Sequence, residues 1–288
     1  MTLRPIGQPA HHSVRVTRAV ALLVCAAVLM LSAGCGGSGI AAQELLVTGS
    51  TTLLPIAEIS GEMYGDRNPD VRVLVSGLGS SAGIESVSKG SSDIGTSSRD
   101  LKPEEESLGL YDTPVAFDAI TVIVNPDNPV DELTTDQVRL IFNGTYTNWS
   151  DLGGPDMPIG LVNRDEASGT REAFYKIVME ETPFDRTAAV LPGTGQVRSV
   201  VAEAPGAIGY ISLGFVNDEV KMLAIDGVLP SEASVVDGSY PIQRLLHFYT
   251  VGAPTGDAAD FIEFVLSEEI QSGLVREAGF TPVTGAGE

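Results

Sequence analysis

The sequence is poor in the residues that build disulfides and metal sites. Its 288 residues include two cysteines and three histidines. Cys25, His11 and His12 all lie before residue 35, so the rest of the chain keeps only Cys35 and His247. A single cysteine cannot form an intrachain disulfide, and one cysteine with one histidine indicates no metal site. We therefore expect no structural metal and no cofactor.

Long apolar runs are also scarce. The run AVALLVCAAVLML has 13 residues and is too short to span a bilayer. Arg4, Arg15 and Arg18 precede it and small residues follow, which is typical of a secretory signal. Because LSAGC resembles a lipobox, we predict a signal peptide over 1–34, a lipidated Cys35 and a flexible tether over 35–44. This predicts an exported protein anchored on the outer face of the cell membrane or in the periplasm, and the alternative is an ordinary cleaved signal.

Positive charge is the third shortage. The chain has 17 Lys and Arg against 38 Asp and Glu, a formal net charge of −21. Removing residues 1–34 takes away three arginines and no acid, which leaves 14 − 38 = −24. So acidic a chain repels nucleic acid and anionic lipid, and we exclude both as partners. Any anion site must therefore depend on local donors.

From residue 45 onward, strand-like and helix-like segments alternate. VRVLVSGLG, FDAITVIVNP and MPIGLVNR read as strands, while TTDQVRLIFNG reads as a helix with Thr134 as N-cap and Gly144 as its end signal. DAADFIEFVLSEEIQSGLVREAG reads as one amphipathic C-terminal helix. The alternation predicts an α/β fold with largely parallel sheets. Apparent crossings near Ala119–Val124 and after Tyr210 predict two lobes with a ligand cleft between them.

Three turns share one chemistry. GSTT at 49–52, GSSAG at 79–83 and SGT at 168–170 each follow a strand and open a helix. The first N–H groups of a helix lack partners, the helix dipole makes that end positive, and glycine lets an oxyanion approach the backbone. Arg164 can add a charge-assisted pair. Each turn alone is also compatible with an ordinary N-cap, but together they indicate a cage for a tetrahedral oxyanion.

The motifs as a set carry a family resemblance. GSTTLLPIA, SGLGSSAGIESV, DIGTSSRDL, VNPDNPV, LTTDQVRLIFNGTYTNWSDLGG, NRDEASGTREAF and AIGYISLGF occur in the order that resembles the PstS-like phosphate-binding proteins of ABC phosphate importers. The resemblance implies a type II periplasmic-binding-protein fold, with lobe 1 over 45–120 plus 217–288 and lobe 2 inserted over 121–216. It also implies a monomeric solute-binding lipoprotein, not an enzyme, that captures inorganic phosphate and delivers it to an ABC permease.

The resemblance also implies a ligand set. Glu166 stands where the family often has an acid that braces the arginine. The implied phosphate-binding residues are Thr51, Thr52, Ser80, Ser98, Arg99, Arg164, Ser168, Gly169 and Thr170.

One position departs from the best-studied branch of the family. There, a carboxylate accepts the proton of hydrogen phosphate and so rejects sulfate, whereas this chain has Ser98 followed by Arg99. A similar SSR occurs in another phosphate-associated branch. Arg99 is therefore either a ligand or a partner of Asp93 or Asp100. The open alternatives are a binder of sulfate, molybdate or tungstate on the same fold, and a sensor or adhesin lipoprotein.

A hydrolase is a more remote alternative. Residues 79–83 also match G-x-S-x-G, with Ser81 as the nucleophile and His247 later in the chain. His247 lies in the apolar strand RLLHFYTV, which favours a packed core histidine. Trp149, the only tryptophan, is expected to pack locally within NWSDLGG.

Overall fold

The structure is a computed structural model that describes residues 42–283. Regular structure begins at Gln43, two residues before the predicted lobe boundary at 45, and the predicted signal and Cys35 lie outside the described residues. Within the described range the strands are β1 (Gln43–Gly49), β2 (Val71–Gly77), β3 (Ile94–Ser97), β4 (Leu110–Val124), β5 (Glu132–Leu133), β6 (Gly160–Arg164), β7 (Ala189–Leu191), β8 (Ala207–Ser212), β9 (Lys221–Met222), β10 (Ala224–Ile225), β11 (Gln243–Val251) and β12 (Thr281–Pro282).

Helices fill most of the connections between these strands. In the same range the α-helices are α1 (Leu54–Arg67), α2 (Ser80–Ser88), α3 (Thr135–Phe142), α4 (Gly169–Ile177), α5 (Thr194–Glu203), α6 (Glu232–Val236) and α7 (Gly256–Leu266). No helix among residues 42–283 is both long enough and apolar enough to cross a membrane.

Local signals explain several helix boundaries. Thr134 caps α3 as predicted, because its side chain accepts from the Gln137 N–H at 3.1 Å while Gln137 reaches back to the Thr134 N–H. The helix ends at Phe142, and Gly144 follows with φ +82°, a left-handed conformation that favours glycine.

The helices differ from the sequence-based expectation at two places in particular. The C-terminal helix is not continuous: α7 ends at Leu266, Ser267 is extended and bonds back to the Phe264 carbonyl, and a separate π-helical turn covers Ile270–Val275. The amphipathic pattern runs through the break because both segments bury an apolar face. The second difference is α5, which the sequence analysis did not predict.

The sheet is parallel at its two ends and antiparallel in its centre, so the expectation of largely parallel sheets holds only for the ends. Its order is β2-β1-β3-β11-β4-β8-β6-β7. Strand β1 runs parallel to β2 and β3, and β6 runs parallel to β7 and β8. Strand β11 pairs antiparallel with both β3 and β4.

Strand β4 is shared by both halves of this sheet. Residues 110–119 of β4 pair with β11, and residues 120–124 pair with β8. One hydrophobic cluster, which includes Val47, Phe248 and Phe261, lies on the β11 side. Another, which includes Trp149 and Tyr210, lies on the β8 side and also takes in Leu223, Ile225, Val235, Tyr240 and Ile242. The lobe boundaries stay a prediction.

Candidate anion-binding site

The three glycine-and-hydroxyl turns all lie where strands lead into helices. Thr51 and Thr52 follow β1 and precede α1, and Ser80 is the first residue of α2 after β2. Ser168 is the N-cap of α4, and its hydroxyl accepts from the Arg171 N–H at 3.2 Å. Because β1, β2 and β6 all lead into these turns, the N-termini of three helices meet at the carboxyl ends of parallel strands.

Hydroxyl contacts join these turns to one another. Thr52 Oγ1 lies 3.2 Å from Thr170 Oγ1, although the two residues are 118 positions apart. Ser80 Oγ lies 3.2 Å from Ser98 Oγ and accepts from the Ser98 N–H at 3.0 Å. These four hydroxyl side chains are buried. The structure therefore brings residues from the beginning and the middle of the chain into one cluster of donors.

Gly169 lies where that cluster is tightest. A β-carbon at this position would stand 2.2 Å from Ser80 Oγ, 2.7 Å from Ser98 Oγ and 2.8 Å from the Ser80 β-carbon. Only a residue without a side chain lets the start of α4 approach these two serines so closely. Nearby, the Ser81 N–H donates to the Ala167 carbonyl at 3.2 Å.

Arg164 supplies a buried positive charge at the end of β6. Its guanidinium donates from Nη2 to Thr51 Oγ1 at 3.2 Å and from Nη1 to Thr194 Oγ1 at 3.1 Å. The carbonyls of Leu191 and Pro192 accept from Nε at 3.2 Å and from Nη2 at 2.7 Å. The residue is 1% exposed, and this burial lowers the pKa of the Arg164 guanidinium. An anion in the site would offset that desolvation cost.

The acid expected to brace Arg164 does not do so. Glu166 is exposed, and no hydrogen bond joins it to Arg164 within the part of the chain that the structure describes. The carbonyls of Leu191 and Pro192 hold the guanidinium instead. The family resemblance placed an acid nearby, but it could not show that backbone carbonyls from β7 and the turn after it fill that role.

Arg99 has a different partner from those considered. Its Nη1 and Nη2 atoms donate to the two carboxylate oxygens of Glu105 at 2.6 and 2.8 Å. Nη1 also donates to the Asp100 carbonyl at 2.8 Å, and Nη2 to Ser81 Oγ at 3.3 Å. The pairing with the carboxylate of Asp93 or Asp100 is therefore replaced by one with Glu105. Direct contact of Arg99 with an anion stays a prediction.

Thr194 is a site residue that the sequence analysis missed. It is the first residue of α5, and its hydroxyl lies 3.1 Å from Thr51 Oγ1. The signal was present, because Gly193 and Thr194 follow β7 and open a helix as the other turns do. A fourth helix N-terminus therefore joins the cluster.

Arg244 and Asp118 were also missed, and no local pattern indicates them. Both lie in strands, β11 and β4, and both are buried. They form an ion pair in which Arg244 Nη2 lies 2.7 Å from Asp118 Oδ2. Burial raises the pKa of the Asp118 carboxyl, while the Arg244 charge and the Ser212 hydroxyl oppose that change. The two-donor contact, with Arg244 Nε at 3.0 Å from the same oxygen, fits a charged pair.

Taken together, the hydroxyls, the helix N-termini and the buried Arg164 guanidinium form a cluster that is rich in donors. The carboxylates of Asp118 and Glu105 next to it are bound by Arg244 and Arg99. Such a set of donors favours an oxyanion as the ligand. Among residues 42–283, no group of three or more His, Cys, Asp or Glu side chains could hold a metal ion.

The geometry gives the hydrolase reading no support. His247 Nδ1 lies 2.8 Å from Asp112, and Nε2 lies 3.3 Å from Asp100. Ser81 Oγ accepts from Arg99, and within the described residues no hydrogen bond joins it to His247. His247 is buried and stacks against Tyr249, as a packed core histidine does.

Comparison with known proteins first shows the class of protein to which the chain belongs. Residues 36–269 match the family model of the PBP superfamily domain. The structure is similar to a Clostridium perfringens protein described as a phosphate ABC transporter substrate-binding protein, solved with bound phosphate, at a TM-score of 0.80 and 37% identity over 84% of this chain and 100% of that one. It is also similar to an ABC-type phosphate transport receptor from Vibrio cholerae, at a TM-score of 0.71 and 32% identity over 82% of this chain and 99% of that one. This confirms the type II periplasmic-binding-protein fold.

Sequence relatives then give the family. The chain is 34% identical to the phosphate-binding protein PstS of Bacillus subtilis (strain 168), over 92% of this chain and 94% of the relative. It is 30% identical to PstS of Borreliella burgdorferi over 81% and 88% of the two chains. The chain belongs to the PstS phosphate-binding proteins.

Proposed function

We propose that this protein captures inorganic phosphate outside the cytoplasm and passes it unchanged to an ABC-type import permease. The observation that carries the proposal is the meeting of helix N-termini from α1, α2, α4 and α5 around the buried Arg164. Family membership and relatives that are phosphate-binding proteins support the same ligand. The proposed contacts are Thr51, Thr52, Ser80, Ser98, Arg99, Arg164, Ser168, Gly169 and Thr170, joined by Thr194.

Binding proceeds by exchange of water for fixed donors. Because the hydroxyls and the guanidinium are held by neighbouring residues, little reorganisation is needed when the anion enters. The contacts between Thr52 and Thr170 and between Thr51 and Thr194 join elements on either side of the site, which fits closure of two lobes over the ligand. The proposed lobe ranges remain those given by the sequence.

The proposal also covers how the protein is attached to the membrane and to which partner it delivers phosphate. Lipidation at Cys35 would hold the protein at the outer face of the membrane, and a monomer would deliver phosphate to the permease. Mass spectrometry of the membrane-extracted protein tests the anchor, because a diacylglyceryl-modified N-terminal Cys35 is expected. An unmodified N-terminus at another residue would show an ordinary cleaved signal.

A second ligand class is favoured by one observation. Ser98 stands where a carboxylate would reject a fully deprotonated anion, and a serine hydroxyl can donate to sulfate as well as accept from hydrogen phosphate. The competing proposal is therefore that the same site binds sulfate, molybdate or tungstate.

Isothermal titration of the purified protein with phosphate and then with sulfate tests both proposals. Tight phosphate binding with no sulfate signal supports the phosphate assignment. Equal binding of the two ions would keep the site and overturn the selectivity, and no binding of any oxyanion would favour a sensor or adhesin.

A further inference from the structure

A buried ion pair lies directly behind the anion site. Arg244 Nε and Nη2 donate to Asp118 Oδ2 at 3.0 and 2.7 Å, and Ser212 Oγ donates to Asp118 Oδ1 at 2.7 Å. Both carboxylate oxygens therefore face protein donors. Asp118 therefore holds Arg244 in place. It does not take over the role of the carboxylate that stands at the Ser98 position in the best-studied branch of the family.

The Arg244 guanidinium also contacts two residues of the anion site, Ser98 and Thr52. Arg244 Nη1 donates to the Ser98 carbonyl at 3.0 Å, and Nη2 lies 3.5 Å from Thr52 Oγ1. A guanidinium can only donate, so the Thr52 oxygen accepts there and its own proton is left for Thr170 or for an anion. Arg244 thus fixes Ser98 through its carbonyl, and the N–H of the same residue, in the preceding peptide unit, donates to Ser80 Oγ. The Ser80 proton is then also directed away from the backbone.

The positive charge of Arg244 is offset by the Asp118 carboxylate that it contacts. The titratable and charged groups that face Arg244 are Asp118 on β4, Tyr210 on β8 and Arg164 on β6. Burial raises the pKa of the Tyr210 hydroxyl, so this group stays neutral. Two guanidinium groups and one carboxylate give a net charge of 2 − 1 = +1, and the Arg244–Asp118 pair adds nothing to it. The preference for a dianion therefore comes from the directed hydroxyl protons, because the ion that carries fewer protons offers them more acceptor sites.

We propose that Arg244, held by Asp118, is a positioning residue of the anion site that directs the hydroxyl protons of Thr52 and Ser80 toward the ligand and favours a dianion. This inference rests on the proposed function, because it takes phosphate as the ligand.

The test replaces both members of the pair, since removing one alone would leave a buried charge without a partner. The variant is Asp118→Leu with Arg244→Met, and the readouts are cooperative thermal unfolding and phosphate affinity below and above the second ionisation of phosphate. A matched control is Arg67→Met with Glu269→Leu. It removes another two-donor pair, with contacts of 2.9 and 2.6 Å, between α1 and the segment before the π-helical turn.

We expect the Asp118/Arg244 double variant to unfold cooperatively, to bind phosphate about tenfold or more weakly, and to lose part of the preference for the dianion. The control should bind as the unchanged protein does. Wild-type affinity and pH dependence in the double variant would overturn the inference and show that the pair is only structural.

A single conservative variant keeps the test decisive if the double variant does not fold. Arg244→Lys keeps the charge next to Asp118. A single ammonium group, however, cannot donate to Asp118, Ser98 and Thr52 at the same time, as the planar guanidinium does. Weaker phosphate binding by this variant supports the inference, and unchanged binding overturns it. If the unchanged protein itself binds no phosphate, the proposed function has failed, whereas tight binding by both proteins refutes only the role of Arg244.

Discussion

Gly169→Ala tests whether the start of α4 closes onto the two serines when phosphate binds. The added methyl carbon would lie 2.2 Å from Ser80 Oγ, against an ordinary contact of 3.4 Å or more, so the overlap is 3.4 − 2.2 = 1.2 Å. Rotation of the hydroxyl does not relieve it, because the Ser80 β-carbon is only 2.8 Å away. The serines and α4 must therefore separate by about 1 Å, a displacement that can cost roughly 100-fold in a preorganised site.

The free energy of the lost hydrogen bonds predicts a loss of phosphate affinity of similar size. Losing one or two hydrogen bonds to a charged ligand costs about 1.5–3 kcal/mol each, which corresponds to about 10-fold or more in affinity per bond. The helical backbone itself accepts alanine, which is favoured over glycine there by about 0.5–1 kcal/mol, and the melting temperature without ligand shows whether the overlap also weakens the fold. The assay is isothermal titration with phosphate, together with the rise in melting temperature that saturating phosphate produces.

Gly195→Ala is the matched control. Gly195 also lies in the first turn of a helix, α5, but a β-carbon there would meet nothing within 4 Å. We expect the control to bind phosphate normally and Gly169→Ala to bind at least about 10-fold more weakly without loss of fold. If Gly169→Ala bound as tightly as the unchanged protein, the close approach of α4 to Ser80 and Ser98 would not belong to the bound state.

Four further predictions concern charge, pH, packing and fluorescence. Arg164→Met should weaken phosphate binding by about 100-fold or more, because it removes the buried charge of the site, and titration with phosphate checks this. Burial acts to raise the pKa of the Glu105 carboxyl, but the bonds from Arg99 and the Lys102 N–H outweigh it, and the net pKa is lowered. Glu105 therefore stabilises the fold above its ordinary pKa of 4.5, and the melting-temperature advantage over Glu105→Gln should vanish as the pH falls through the lowered value, which melting curves from neutral to acid pH would show. Trp149→Phe removes the indole bond to a backbone carbonyl, 3.0 Å long, and should cost about 1–3 kcal/mol in urea unfolding. The emission of the buried Trp149 should barely change on phosphate addition, since it packs in the β8-side cluster, and a large change would contradict that placement.

Features that depend on a few adjacent residues were predictable. The Thr134 capping box and the three helix-opening turns each need only three to five residues of sequence, and the structure has all of them. Convergence of the turns followed from parallel strands, whose carboxyl ends share an edge. The same reasoning would have found Thr194 had the turn before α5 been recognised.

Features that depend on distant residues were not predictable in the same way. Arg244 and Asp118 are 126 positions apart, and each lies in a strand made mostly of apolar residues. The partner of Arg99 was also misjudged, because Asp93 and Asp100 are nearby in sequence whereas Glu105 returns to the arginine after a turn. Chain geometry, and not residue type, decides which acid an arginine meets.

The position of β11 has a consequence for the order in which the molecule can be completed. This strand, at residues 243–251, is synthesised well after β3 and β4, yet it lies between them. Until β11 arrives, the facing edges of β3 and β4 have no partner there, and Leu246 and Phe248 are missing from the cluster that they help to fill. The first half of the sheet is therefore among the first parts made and among the last finished, and such non-local pairing slows folding and prolongs the exposure of open edges. A chain cut before Gln243 would expose them permanently, so these edges are protected from aggregation only after β11 has been released for folding.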